Sequence, residues 1–418
     1  MTDSDLLAYL EAAPSPYHAV AAAIERLRSA GWRQLDLDQA WDDVTGRCYV
    51  AVGGALVAWS RPAGLPASTP ITLVGAHTDS PNLRVKPRPD TGAAGWRQLG
   101  IEVYGGALLN SWLDRDLGLS GRIVLRDGSI RLVRHDDAIA RVPQLAIHLD
   151  RDVNERGVVL DKQQHMTPIW GLGSAVDSDF ADWLAAEAAV PAGDIMAWDL
   201  MFHDVSGPRL LGQNRELLAG ARIDNLFSCW CALNALIVSP DIGWQAICLF
   251  DHEEVGSDSA TGAGGPLLAG TLQRVVAAVG GDQLDFTRSM TASFCVSADM
   301  AHSIHPNYPE RHEPNHRPIP NGGPVIKINS NQRYATDAVS HARFAAACDR
   351  AGIAYQVFVS RNNQPCGSTI GPVTAARLGI PTVDVGCAQL SMHSARELCG
   401  AHDAPLMVAA LESVFVEA

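Results

Sequence analysis

The chain has 418 residues, enough to bury a large core and, on size alone, to form two domains. Its 32 basic and 46 acidic residues leave a net charge of −14, spread along the chain, which excludes nucleic acid and anionic lipid surfaces as partners. No uninterrupted apolar run is long enough to span a bilayer, so no membrane partner is expected, and the acidic start Met1-Thr2-Asp3-Ser4-Asp5 lacks the regions of a secretory signal. A cytoplasmic protein is therefore expected, and its nine cysteines read as buried reduced thiols.

In chain order, residues 16–30 read as an amphipathic helix, with Ser15 placed to cap it and Pro16 suited to its first turn. Residues 47–59 and 70–77 read as strands. From residue 88 to 213 the texture changes to frequent glycine and short alternating runs. There, Arg122 to Val133 reads as a hairpin turning at Asp127-Gly128, and Gln144 to Leu149 as a further strand. Helix signals return at Asp224. Strands then follow at 245–251, 292–298, 325–329, 355–359 and 382–386, with helices at 265–279, 335–350, 370–378 and 403–416. The expected fold is α/β: a mixed sheet flanked by helices on both faces, formed by residues 1–87 and 214–418 and interrupted by a β-rich inserted domain at 88–213.

The most informative motif is Glu253-Glu254, two neighbouring carboxylates at the end of the apolar run Ile247-Cys248-Leu249-Phe250. Such a pair is unfavourable unless something compensates, and a divalent metal does so if one carboxylate binds it while the other handles a water. His77, Asp299 and His393 lie at or beyond the ends of other expected strands, and Asp224 opens an apolar helical stretch. In open α/β sheets ligands bind beyond the carboxyl ends of strands, so these scattered groups can meet in one crevice. Imidazole and carboxylate without thiolate suit zinc, with manganese or cobalt as alternatives. Asp224, Glu254 and Asp299 carry about −3; one dication leaves about −1, while two leave about +1, offset by hydroxide. Two ions sharing a carboxylate balance better, although the sum also permits one. For each group a plainer role competes: a helix cap for Asp224, a turn residue for Asp79, a core histidine for His393.

The segments Pro14-Ser15-Pro16-Tyr17-His18, Gly75-Ala76-His77-Thr78-Asp79-Ser80-Pro81, Arg222-Ile223-Asp224-Asn225, His252-Glu253-Glu254-Val255-Gly256-Ser257, Asp299-Met300-Ala301-His302 and Met392-His393-Ser394 together resemble the M18 metallopeptidase family, the aspartyl aminopeptidases and their relatives. The resemblance implies a dimetal aminopeptidase. His77 and Asp299 would bind one ion, Glu254 and His393 the other, and Asp224 would bridge them. Glu253 would be the general base and Asp79 would orient His77. One ion would also hold the substrate's free N-terminal amine. It further implies that Lys327 reaches the pocket for an acidic first side chain, as against a lysine on an exposed strand face. His148 on the inserted domain would complete a neighbouring subunit's site, and His305 would bind substrate. The substrates would be peptides with a free N-terminus. The inserted domain would make dimer contacts within a homo-oligomer, a tetrahedral dodecamer. A related dimetal hydrolase acting on neutral N-terminal residues or acylated amino acids, and a non-catalytic scaffold or cargo protein, remain the alternatives.

Overall fold

The computed structural model describes residues 3–177 and 179–417. Its centre is a nine-stranded mixed sheet in the order Arg33–Gln34, Gly46–Val52, Ala55–Arg61, Trp244–Phe250, Ile71–His77, Phe294–Ala298, Thr382–Gly386, Val325–Ile328, Gln356–Val359. The four strands in the middle run parallel, with Phe250 opposite His77 and Ala298 opposite Val385. These strands are buried along their whole length, so they read as short, largely apolar runs, although Thr382–Gly386 carries the buried Asp384 and Trp244–Phe250 the buried Gln245. Helices Pro16–Ser29, Ile223–Val238, Ala338–Ala351 and Asp403–Phe415 pack on one face, and Leu267–Ala278, Gln283–Ala292 and Ile370–Leu378 on the other.

The residue range 47–59 is not one strand. It is a hairpin that turns at Gly53-Gly54, where Gly53 takes φ +59° and Val52 pairs with Ala55. The helix Gln283–Ala292, absent from the sequence reading, is set by an Asp282 capping box.

A second sheet of six strands, Ile130–Ala140, Leu117–Leu125, Ile195–Asp204, Asn82–Ala93, Trp96–Tyr104 and Ile169–Leu172, is drawn entirely from residues 82–204. It begins six residues before the expected boundary at 88, because the strand entering it carries straight on from the His77 loop. The Asp127-Gly128 turn lies where expected, between Val124 and Ile130. The strand expected at Gln144–Leu149 is instead an exposed loop: only Arg141 and Val142 form isolated bridges, and Leu145, Ile147 and Leu149 are 58%, 45% and 74% exposed. Among the described residues no strand pairs with this segment.

A third sheet of five strands runs Arg209–Leu211, Leu217–Gly220, Glu397–Gly400, Ala388–Leu390, Ala301–His302. Two of its strands, Ala301–His302 and Ala388–Leu390, continue from the central strands Phe294–Ala298 and Thr382–Gly386, and Leu217–Gly220 leads into the helix that carries Asp224.

Candidate metal centre

The loops leaving the central strands converge. His77 ends its strand, Glu253 and Glu254 form a tight turn three residues past Phe250, Asp299 follows Ala298, and His393 lies past Gly386. Asp224 sits in the first turn of Ile223–Val238. Three of these positions need strained backbone: Arg222, His252 and His393 adopt φ of +60°, +65° and +66°. Non-glycine residues are held in that region only where surrounding contacts over-determine them, and such residues cluster at functional sites.

The side chains form two overlapping clusters. His77, Asp224 and Asp299 offer donor atoms within 4.8 Å of one another, as do Asp224, Glu254 and His393. His77 Nε2 lies 3.4 Å from Asp299 Oδ1, His393 Nε2 lies 3.4 Å from Asp224 Oδ2, and His393 Nε2 lies 3.3 Å from Glu254 Oε2. Two donors each about 2.0–2.1 Å from a tetrahedral zinc stand about 3.3–3.4 Å apart, so the spacing fits such an ion. A third set joins His77 with Glu253 and Glu254. Glu254 Oε1 is buried without any hydrogen-bond partner, an orphan that a cation would satisfy. The residues present therefore fit a divalent metal.

The imidazoles are turned for ligation. Nδ1 of His77 faces the carbonyl of Asp79 at 3.0 Å and its carboxylate at 3.4 Å, and Nδ1 of His393 faces the carbonyl of Gly106 at 3.2 Å. Both arrangements leave Nε2 for the metal. The Asp79 carboxylate does more than orient His77: it accepts the backbone N–H groups of Glu253 and Glu254, at 3.0 and 3.1 Å, and so fixes the turn that presents both glutamates.

Electrostatics confirm how crowded with negative charge the crevice is. Burial raises Glu253 to about 7 and Glu254 well above the usual carboxylate range. Burial lowers His393, but the Asp224 hydrogen bond and the Glu254 charge outweigh it and bring the group up to about 10. Burial likewise opposes ionisation of Asp299, yet Lys327 and His77 hold it below its ordinary value.

Lys327 stands elsewhere than a free specificity lysine would. It is 1% exposed; its ammonium donates to Asp299 Oδ2 at 3.3 Å and to the Met300 carbonyl at 3.2 Å, and lies 5.1 Å from the Tyr334 ring centre. It therefore anchors Asp299 first. Tyr334 in turn lines a cavity of about 170 Å³ together with His302, Phe358, Arg311, His312 and Arg361; Lys327 itself is not part of that lining. His305 does not line that cavity: its Nδ1 accepts the N–H of Asn307 within its own loop, and its backbone N–H donates to His312. His148 is exposed in the Gln144–Leu149 loop and takes part in none of the site's hydrogen bonds or ion pairs among the described residues.

Several supporting groups escaped the sequence reading. Glu397 accepts the N–H of Asp224 at 3.0 Å and of His393 at 2.7 Å, so one carboxyl seats two ligands from different elements. Burial and the neighbouring Asp224 push it up to about 8. Gln389 donates to Asp224 Oδ1 at 3.1 Å. Glu397 left one faint signal, a carboxylate leading into the apolar pair Leu398-Cys399, with Arg396 on its other side.

A buried imidazole and carboxylate centre at the carboxyl ends of parallel strands, with a spare glutamate beside it, is the arrangement of a metallohydrolase. The family model for the aminopeptidase I zinc metalloproteases (M18) matches residues 9–415. A probable M18 family aminopeptidase 2 of Streptomyces coelicolor is 56% identical over 413 residues, covering 97% of this chain and 96% of that one. Among solved structures, a chain of the cryo-EM structure of the Ape4 and Nbr1 complex superposes with a TM-score of 0.94 at 35% identity, over 99% of this chain and 85% of that one. The dodecamer of yeast mApe1 gives 0.86 at 27% identity, over 99% and 98%. The chain belongs to the M18 family of metal-dependent aminopeptidases.

Among the described residues no helix is long and apolar enough to cross a membrane. All nine cysteines are unpaired, eight of them buried and Cys366 partly so.

The Lys327–Asp299 pair generates a direct expectation. Lys327→Met strands a buried carboxylate, and breaking such a pair typically costs about 3–5 kcal/mol. Denaturant unfolding should show a loss of that order; a variant as stable as the parent would mean that Lys327 does not hold Asp299.

Proposed function

We propose that the protein is a two-metal aminopeptidase that removes Asp or Glu from the N-terminus of peptides, with zinc as the preferred ion and manganese or cobalt as substitutes. The observation that carries the two-metal reading is Asp224, the one residue common to the set it forms with His77 and Asp299 and the set it forms with Glu254 and His393. His77 and Asp299 complete one half of the site and Glu254 and His393 the other. A metal held by these residues would polarise the scissile carbonyl and would make a water acidic enough to attack near neutral pH.

Glu253 is the group left over for proton transfer. It takes the water's proton as the C–O bond forms and returns it to the amine as the C–N bond breaks, so no other co-reactant is needed. Burial raises its affinity for a proton, which suits a group that must both accept and release one. Asp79 supports it by holding the backbone of the turn.

The acidic preference draws support from the cavity lined by Tyr334, the aromatic neighbour of Lys327. Its aromatic walls, Tyr334 and Phe358, suit the stem of a side chain, and its two arginines, Arg311 and Arg361, outnumber the one acid that lines it, Glu313. An acidic enzyme needs such a local positive field to accept an acidic side chain. His305, whose backbone N–H donates to the cavity-lining His312, is proposed as a further substrate contact.

The exposed apolar residues Leu145, Ile147 and Leu149 are the kind of surface that closes against another chain. With the yeast mApe1 dodecamer as precedent, we read the inserted sheet as an interface between copies, with His148 carried toward a neighbour's site. Light scattering should report an assembly of about twelve chains at the size implied by that precedent; a monomer would sink this part.

Glu253→Gln should retain metal by elemental analysis and lose about 10²–10⁴-fold in kcat, since only the proton-transfer group changes. Asp224→Ala should lose metal and activity together, and full metal content in that variant would rule out the bridge. On a panel of aminoacyl amides, kcat/KM for Asp and Glu should exceed that for Leu and Ala, and a preference for Leu would move the protein to the neutral class.

A further inference from the structure

The inserted sheet reaches the metal centre of its own chain. Where the strand Trp96–Tyr104 ends, three consecutive residues touch three groups of the site. The Tyr104 hydroxyl donates to Asp79 Oδ2 at 2.7 Å, beside the Glu254 N–H on the same oxygen. A Cβ on Gly105 would lie 3.1 Å from the Glu254 Cβ, and Gly105 takes φ +70°. A Cβ on Gly106 would lie 3.2 Å from His393 Nδ1, the atom whose hydrogen bond its own carbonyl receives. The backbone can come this close only because both residues lack a side chain.

Tyr104 is itself held rigidly. It is buried, and the Arg84 guanidinium from the adjacent strand Asn82–Ala93 stacks on its ring, 3.7 Å from the centroid. Resting on the metal-centre reading above, we infer that Tyr104-Gly105-Gly106 is a positioning strap through which the inserted domain sets both halves of the site. Tyr104 acts through Asp79 and Gly106 acts through His393.

The physical reason lies in what Asp79 controls. Its carboxylate carries the N–H groups of Glu253 and Glu254 and lies 3.4 Å from His77 Nδ1. Freed of the Tyr104 hydroxyl, the group can rotate, and rotation moves a ligand, the neighbouring ligand's turn and the proton-transfer residue together. Misplacement of about 0.5 Å is enough to spoil such a constellation. Gly106 controls the remaining ligand, His393, by fixing which nitrogen carries the proton. The inserted domain thereby has a role within the subunit that is separate from contacts between copies.

The test uses the zinc-loaded full-length protein and two variants. Tyr104→Phe removes a single oxygen and keeps the ring beneath Arg84. Loss of an outer-shell partner typically costs about 10–100-fold in metal affinity or activity. Zinc should therefore pass to a competing chelator at least about tenfold faster, with kcat on one aminoacyl amide falling by a similar factor. KM, thermal midpoint and oligomer mass should stay near the parent's. Gly106→Ala, which pushes a methyl against His393, should also release zinc faster. Zinc release at the parental rate from Tyr104→Phe, or a change in KM without one in kcat, overturns the role of Tyr104. Parental release from Gly106→Ala overturns that of Gly106. If the parent binds zinc but hydrolyses no aminoacyl amide, the aminopeptidase reading fails, while zinc release still decides the strap.

Discussion

The carboxylates of Asp224, Glu254 and Asp299 face one another in a crevice largely removed from water, where like charges repel far more strongly than at a surface. The surrounding structure answers that repulsion. Lys327 is drawn from its strand onto Asp299, Gln389 donates to Asp224, and His393 is pulled toward Asp224 and Glu254 together. Even Glu397, itself a carboxyl, is turned so that it meets backbone N–H groups instead of its acidic neighbours' oxygens. What remains unanswered is the Glu254 oxygen and the surplus of charge, which is the opening a dication fills.

Holding these groups also explains where the backbone departs from regular geometry. A ligand set drawn from separate loops has to be aimed, and left-handed residues at 222, 252 and 393 turn the chain sharply just before or at a ligand. Hydrogen bonds through Asp79, Glu397 and Gly106 lock those turns. The scaffold is regular where it packs and irregular where it points side chains into the crevice.

Much of this could be read from the sequence, for a physical reason. A buried parallel strand shows as a short, largely apolar run, and the polar residues at or just past its end mark the crevice side of the sheet. His77, Glu253, Glu254 and Asp299 lie at such positions. The supports do not: Glu397, Gln389 and Tyr104 are ordinary residue types within strands, and their partners lie far away in the chain. The inserted sheet's start was hidden by Pro87 and Pro89, which argue against a strand. The structure accommodates them in a register shift between Val85 and Asp90, outside the regular ladder. At Gln144–Leu149 the alternation was real, but alternation records only that one face seeks cover, and this chain does not supply it.

The order of strands in the central sheet has a consequence for how the protein comes into being. Thr382–Gly386 is inserted between Phe294–Ala298 and Val325–Ile328, so the last strand of the chain to join lies well inside the sheet, leaving a gap until it arrives. His393 and Glu397 travel with that part of the chain, whereas His77 emerges from the ribosome long before them. During synthesis the half-site made by Asp224, Glu254 and His393 therefore cannot exist, and pairings so distant along the chain form slowly. A chain still being made thus lacks His393 and Glu397, which complete this cluster of side chains.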